Sequence, residues 1–385
     1  VKKVSIIIPV YNNFNLTLDC VNSIQKYSDD FGDYEIVVSD DCSTDDTQSF
    51  FSTIDDFKYQ RNITNRGFSF TCNRGADISS GDYLLFLNND TILTSSIIPS
   101  FLDTFQKYDA GIVGAKLLYP DDTIQHAGVL IYPDLKVSHL FKGFPSDYHA
   151  ALGLRRIKAV TGACLMIPRN LFYQLGMFDE NFVNGFEDLD LCFKAIEVGM
   201  SVYVNSDISL YHFEEKTRRN FNKQENSNSK LITSKWRHSL APELSILDEG
   251  FDFKITEYGT FYIVRKSFDN IDMDDIIATI SREPLFFYGY KRLINDYLLE
   301  NKVDDALNIS KKLLIFEPTI KNFELLRDIF AYKGDDNSVK ILNQEINTLN
   351  LDRLSLKGEM LRLHEKYRDK DPLIAQYYQQ WLLDN

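Results

Sequence analysis

The sequence predicts an α/β protein with a buried sheet whose ligand-binding edge carries acids and amides, followed by an α-helical region. Three observations predict it. The run Tyr83 to Leu87 is apolar or aromatic throughout, lacks helical spacing and follows Gly81, the pattern of a strand buried on both faces of a parallel sheet. That strand stops in Asn88, Asn89 and Asp90, and open α/β sheets bind ligands at the carboxyl ends of their strands. A second run, Tyr34 to Ser39, stops in Asp40, Asp41 and Asp45. Asn-Asn-Asp-Thr at 88 to 91 is also turn chemistry, and its Asp or Thr would serve to cap a helix over Ile97 to Tyr108. The repetition of acid-ended strands favours a site.

Composition narrows the classes. The 385 residues give room for two or three domains, and the 44% hydrophobic fraction is that of a folded protein. A net charge of −14 opposes nonspecific binding to nucleic acid or anionic lipid through the overall field. The cysteines, Cys20, Cys42, Cys72, Cys164 and Cys192, are scattered, odd in number and form no CxxC pair, so neither a zinc site nor a disulfide framework is expected, and a reducing cytoplasm fits. The opening apolar run is too short for a signal peptide or a spanning helix, and no later run approaches ~20 apolar residues. The expectation is a soluble cytoplasmic protein, with peripheral attachment at the inner face of a membrane left open.

The elements follow in order. Val4 to Val10, rich in β-branched residues, is a strand, and Leu16, Cys20, Ile24 and Tyr27 mark one face of the helix after it. Pro9-Val10-Tyr11-Asn12-Asn13 joins them at the ligand edge, where the Tyr11 ring and the loop's backbone groups suit a flat base, or make an ordinary connection. Asp40, as an ionised acceptor, suits a pyrimidine imide N–H or ribose hydroxyls; Ser43 to Asp46 equally forms a helix cap. Asn65 and Arg66 lie before a helix carrying Cys72, Asn73, Ala76 and Ser79, where donors reach ribose or phosphate. Gly111 to Leu118 is a further strand. Gln125-His126-Ala127-Gly128 and the stretch around His139 lie in mixed strand and loop, each His facing an acceptor or sitting as a structural histidine.

Val160 to Ile167 reads as a strand approached closely by a neighbour, because it carries Gly162 and Ala163 where bulk is usual. Pro168-Arg169-Asn170 starts a helix ended by Gly176. From Glu187 the spacing is helical, with Leu189, Cys192, Phe193 and Ile196 on an apolar face. Asp188 sits at the edge of that face, aimed as a general base at a pocket rim, while Asp190 pairs with Lys194 at i,i+4. Acids in a first helical turn are also simple helix-start chemistry. Ser201 to Tyr211 is a strand or hairpin ending at His212, whose imidazole can complete a metal site with Asp90. The polar stretch from Glu214 to Arg237, with Lys216, Arg218 and Arg219, reads as a mobile basic loop suited to a diphosphate.

These stretches together resemble a family 2 glycosyltransferase of the GT-A fold, from Val4 to about His212. The resemblance is carried by Ile-Ile-Ile-Pro-Val-Tyr-Asn at 6 to 12, Ser-Asp-Asp-Cys-Ser-Thr-Asp at 39 to 45, Gly-Asp-Tyr-Leu-Leu-Phe-Leu-Asn-Asn-Asp at 81 to 90, Val-Thr-Gly-Ala-Cys at 160 to 164 and Gly-Phe-Glu-Asp-Leu-Asp-Leu-Cys at 185 to 192. It implies a mixed sheet flanked by helices and an inverting transfer from a nucleotide-diphosphate sugar, UDP-linked by family habit. The acceptor would be a glycan, glycolipid or glycoprotein, in bacterial surface polysaccharide or glycoconjugate synthesis. It implies nucleotide contacts from Pro9, Tyr11, Asn12 and Asp40, with Asn65, Arg66, Asn88 and Asn89 around them. Asp90 is implied as the last residue of the DxD motif, His212 as its partner on Mn²⁺ or Mg²⁺, and Asp188 as the base of a Glu-Asp motif begun by Glu187. The chain departs from the family at Asn88, where the first acid of DxD is usual.

After about residue 240 the texture changes. Tyr290, Leu293, Tyr297, Ala306 and Pro318 have the spacing of one tetratricopeptide repeat, and Leu325 to Gly334 begin a second, degenerate unit. The expected organisation is a catalytic domain over 1–240, a small connecting element over 241–283 with a strand near Glu257 to Ser267, and a helical domain over 284–385. Its helices would serve self-association or a protein partner. Two other classes share parts of the pattern, a sugar nucleotidyltransferase and a noncatalytic scaffold on a degenerated transferase domain. The first lacks a Gly-rich basic loop after Val10, and the second leaves Asp40, Asp90 and Asp188 unexplained.

Overall fold

The computed structural model describes residues 3–182, 184–213, 222–236, 241–268 and 271–385, without the side chains of 222–226 and 354. The chain divides into two compact units, one of residues 1–131 and 137–241, the other of 132–136 and 242–385.

The first unit is built on a mixed sheet. Its strands are β1 (Val4–Val10), β2 (Tyr34–Asp40), β3 (Phe57–Arg61), β4 (Tyr83–Leu87), β5 (Thr91–Leu93), β6 (Ala110–Leu118), β7 (Ile124–His126), β10 (Leu154–Ile157), β11 (Cys164–Pro168) and β12 (Ser201–His212), in the order β10-β12-β6-β11-β4-β1-β2-β3 with β5 on β12 and β7 on β6. A separate hairpin joins β8 (Val129–Ile131) to β9 (Val137–His139). The helices are α1 (Phe14–Ser28), α2 (Thr47–Phe51), α3 (Phe68–Ile78), α4 (Ile98–Lys107), α5 (Arg169–Gln174), α6 (Glu187–Glu197) and α7 (Asn222–Lys235).

Strand alternation explains the burial on both faces. Ile6, Ile8, Leu85 and Leu87 join Cys20 and Ile24 of α1 and Ile98 and Phe101 of α4 in one core. Ile7 lies against Gly75 of α3, while Phe86 packs on Phe172 and Phe178 with centroids 5.1 and 4.9 Å apart. Each such buried side chain contributes about 1.5–3 kcal/mol over its exposed state. β4 runs parallel to β1 but antiparallel to β11. The sheet is thus mixed, as the resemblance implied, although the apolar run taken alone pointed to parallel neighbours; such a run reports burial and not the direction of its neighbours.

Two expectations are corrected. The strand expected from Val160 begins only at Cys164, because the N–H groups before it leave the ladder: Thr161 donates to the His126 ring and Gly162 to Asp188. The loop expected over 214–237 is a helix over Asn222–Lys235, held by Asn228, Ile232 and the following Trp236, all buried and four residues apart. So few apolar residues in a polar run hid the period. Lys216, Arg218 and Arg219 lie outside the described residues.

Close packing at β6 gives a test of this core. A Cβ at Gly114 would lie 2.5 Å from Val160 Cβ, just before the diverted segment. Gly114→Ala is expected to cost about 1–3 kcal/mol through overpacking, read as a lower denaturation midpoint with an unchanged slope.

The second unit pairs β13 (Phe251–Ile255) with β14 (Phe261–Arg265) and adds α8 (Ile276–Arg282), α9 (Phe287–Leu299), α10 (Val303–Phe316), α11 (Ile320–Lys333), α12 (Asp336–Arg368) and α13 (Pro372–Asp384). Consecutive helices from α8 to α13 pack on one another, and Tyr290, Leu293, Ala306 and Leu313 are buried between them. α13 is fastened to the hairpin by Trp381 Nε1 donating to Thr256 O at 2.8 Å and Tyr377 Oη to Asp252 Oδ1 at 2.6 Å. Among the described residues no helix is long and apolar enough to cross a membrane.

Candidate active site

The sheet brings Asp90 and His212 together. β5 follows the Asn88–Asp90 corner and pairs antiparallel with β12, setting His212 opposite Thr91, and Phe213 N donates to Asp90 O at 2.9 Å. His212 Nδ1 lies 2.7 Å from Gln125 Oε1. That oxygen accepts, so Nδ1 carries the hydrogen and Nε2 of the neutral ring offers a lone pair. Nε2 faces Asp90 Oδ1 at 3.1 Å and Asn88 Nδ2 at 3.3 Å. Asp90 Oδ1 is buried and accepts no hydrogen bond. With a neutral ring, Nε2 accepts from the Asn88 amide at 3.3 Å while facing the unpartnered Asp90 oxygen, an arrangement that a proton or a cation completes.

The neighbouring loops are tied to this corner. Asn89 Nδ2 donates to Thr17 Oγ1 at 2.9 Å and to Asn12 O at 3.4 Å, and Asn12 Oδ1 accepts from Thr44 N at 2.8 Å. Asn12 and Asn13 both take left-handed conformations, φ 58° and 62°, which Asn tolerates. Pro9 is buried in β1 opposite Ser39, whereas Tyr11 is 45% exposed. Asn65 and Arg66 are exposed, the Arg66 guanidinium lying 4.2 Å from the Phe70 ring centre.

Asp40 differs from its expected placement. It is fully buried, accepting from Ser43 N at 2.8 Å, from Tyr59 Oη at 2.6 Å and from Arg61. Burial and this carboxylate push the Tyr59 phenol up. Both Asp40 oxygens are therefore engaged within the protein, and its direct observable task is to lock β2 to β3. Asp41, not singled out from sequence, accepts from Arg66 N, Gly67 N and Asn62 Nδ2 at 2.7, 2.8 and 2.9 Å and so shapes the 65–67 loop. A strand end with two successive acids was its only sequence signal.

Across the site, α6 starts after a tight turn in which Asn184, Gly185 and Phe186 all have positive φ. Glu187 Oε2 accepts from Gly185 N at 2.6 Å and braces that turn. Asp188 accepts from Gly162 N and from Leu189 N, both at 2.8 Å. A Cβ at Gly162 would lie 3.3 Å from the Phe68 ring and 3.5 Å from Asp188 Cβ, which accounts for the small residue expected there. Ala163 O accepts from Asn88 N at 2.9 Å. Residues 162 and 163 thus join Asp188 directly to the Asn88–Asp90 corner.

Gln125 and His126 are side chains at this corner that sequence reading left without a task. His126 is fully buried; its Nε2 accepts from Thr161 N at 3.3 Å and its Nδ1 lies 2.6 Å from His139 Nδ1. Burial, then the neighbouring His139 and His212, hold the ring well below the usual histidine range, so it stays neutral.

Comparison with known proteins bears on family and fold. Residues 5–176 match the family described as glycosyl transferase family 2. O-antigen biosynthesis protein RfbC of Myxococcus xanthus is 30% identical over 229 residues, covering 56% of this chain and 18% of that protein. The GalNAc(5)-diNAcBac-PP-undecaprenol beta-1,3-glucosyltransferase of Campylobacter jejuni is 34% identical over 121 residues, covering 30% of this chain and 38% of that one. The chain therefore spans well under half the length of both. The crystal structure of GalNAc-T7 with UDP, GalNAc and Mn²⁺ superposes with a TM-score of 0.53 and 14% identity over 65% of this chain and 53% of that chain, and so shares its fold. Residues 5–176 of this chain form a family 2 glycosyltransferase domain, carried on a GT-A sheet.

Proposed function

We propose that this chain is an inverting glycosyltransferase that moves a sugar from a nucleotide diphosphate to a hydroxyl of a glycan, glycolipid or glycoprotein acceptor in bacterial surface glycan synthesis. The observation that carries the reading is the convergence of the orphaned Asp90 Oδ1 and His212 Nε2, 3.1 Å apart, at the carboxyl edge of the sheet. An oxygen and an imidazole nitrogen fit Mn²⁺, and Mg²⁺ less well. Two protein ligands leave the remaining positions to phosphate oxygens and water. A bound cation would supply charge stabilisation to the departing diphosphate; Asp90 and His212 would hold it.

The chain's own groups account for the rest. Tyr11 offers an exposed ring beside the base, and Arg66 and Asn65 offer donors to ribose or phosphate. Pro9, Asn12, Asn88 and Asn89 shape the floor, while Asp40 and Asp41 act beneath it. Asp188, aligned by the Gly162 and Leu189 N–H groups, takes the acceptor proton as the hydroxyl oxygen forms its bond to the anomeric carbon. The bond from that carbon to the phosphate oxygen breaks with its electron pair on the diphosphate. In-line displacement inverts the anomeric centre. The helices of the second unit, with exposed Leu299, Tyr332 and Leu383, would serve self-association or a protein partner through tetratricopeptide-like pairing.

Calorimetry with UDP, GDP and dTDP, with and without Mn²⁺, tests the donor site. UDP, present in the GalNAc-T7 crystal, is expected to bind at micromolar Kd only with Mn²⁺, and Asp90→Ala is expected to abolish that dependence. Failure of every nucleotide in both conditions would refute the transferase reading.

A further inference from the structure

Gln125 and His126 are adjacent on β7, and strand alternation sends their side chains to opposite faces. One reaches the metal corner and the other the segment behind the base. Gln125 Oε1 accepts from His212 Nδ1, fixing the ring with Nε2 towards Asp90. His126 Nε2 accepts from Thr161 N, and the next peptide, Gly162 N, donates to Asp188. Because His126 Nε2 accepts, its hydrogen resides on Nδ1 and is donated to His139 Nδ1. Its tautomer is therefore set as firmly as that of His212.

We propose that Gln125 and His126 form a positioning pair for glycosyl transfer, Gln125 presenting His212 to the cation and His126 holding the 161–163 segment so that Gly162 aims Asp188. The proposal rests on the roles given above to Asp90, His212 and Asp188, and it goes beyond them by naming what fixes the two halves of the site in register. Neither residue touches substrate. Outer partners of metal ligands commonly change affinity or activity 10–100-fold when removed, and a base displaced by about 1 Å loses rate by a similar factor.

The test compares Gln125→Leu, His126→Leu and His126→Gln, whose Oε1 falls near the place of Nε2 and still accepts from Thr161. Amide hydrogen exchange over residues 160–164 is measured without ligand, Mn²⁺ affinity by calorimetry with UDP present, and turnover as hydrolysis of UDP-glucose and UDP-N-acetylglucosamine. His126→Leu is expected to speed exchange of this segment about 10-fold or more and to lower turnover about 10–100-fold, with Mn²⁺ affinity within about 2-fold; His126→Gln recovers most of both. Gln125→Leu is expected to weaken Mn²⁺ binding about 10–100-fold and to leave exchange unchanged.

Unchanged exchange in His126→Leu would overturn the proposal, as would both leucine variants shifting the same readouts together. If His126→Leu fails to fold, His126→Asn replaces it: its shorter arm misses Thr161, so exchange equal to that of His126→Gln overturns the proposal. A wild type that neither binds Mn²⁺ with UDP nor hydrolyses any donor sinks the proposed function instead, and the exchange contrast still decides whether His126 holds the segment.

Discussion

Asp188→Asn is expected to lower kcat about 10²–10⁴-fold, the usual worth of a general base, with nucleotide and Mn²⁺ affinity unchanged. The substitution keeps shape and leaves one oxygen to accept from Gly162 N or Leu189 N. It removes only the capacity to take a proton at the acceptor hydroxyl. The loss should therefore fall on kcat, while donor KM stays put. Glu187→Gln makes the control, since that carboxylate braces Gly185 N at the head of α6 and its amide oxygen can still accept; a loss below about 10-fold is expected. Donor turnover with a defined acceptor, or donor hydrolysis in its absence, reads both variants. A folded Asp188→Asn enzyme retaining more than a tenth of wild-type kcat would remove Asp188 from the base role.

The sheet and its edge were legible because they rest on local signals. Buried strands announce themselves as apolar runs, and Asp90 and Asp188 follow such runs or open a periodic helix. The Asp190–Lys194 pair was equally local, an i,i+4 contact now seen at 3.0 Å. Hidden from the sequence were choices of partner made across long separations. Gln125 meets His212 across 87 positions, and nothing near either residue specifies that contact. Asp40 shows the same limit in reverse. An acid at a strand end reads alike whether it faces a ligand or is covered, and the covering groups, Tyr59 and Arg61, arrive from the next strand. The early end of β11 was overread for a related reason: its N–H groups are taken by side chains from β7 and α6, partners that periodicity does not register.

Asp190→Ala is expected to cost about 3 kcal/mol of stability, the counterpart of an Asp188 change that costs rate. Asp190 is fully buried, accepts from Trp236 Nε1 at 2.8 Å, and lies 3.0 Å from Lys194 Nζ and 2.8 Å from Lys235 Nζ. Removing it takes the buried carboxylate from Lys194, whose ammonium keeps only the Met177 carbonyl, and leaves the Trp236 indole N–H unpaired where α7 meets α6; breaking a buried pair leaves an uncompensated charge. The Lys235 share is smaller because that side chain is about one-third exposed and solvent screens it. Lys235 also reaches Asp179 at 2.6 Å. Burial opposes ionisation of Asp179, but Lys235 and Asn181 overcome it and hold the carboxyl below its ordinary value of 3.8. A depressed folded value means this contribution is present above about pH 4 and is lost as pH falls through the folded value. Thermal unfolding at neutral pH should thus show Asp190→Ala well below wild type and Asp188→Asn close to it. The two carboxylates sit half a turn apart on α6, and the proposed mechanism gives them different tasks, Asp190 in packing and Asp188 in proton transfer, because one meets Trp236 and Lys235 of the α7 end and the other Gly162. If Asp190→Ala melts with wild type, the ion pairs of Asp190 contribute no net stability, and Ile232 and Trp236 packing with the Asn228 bond to Gly185 O holds α7.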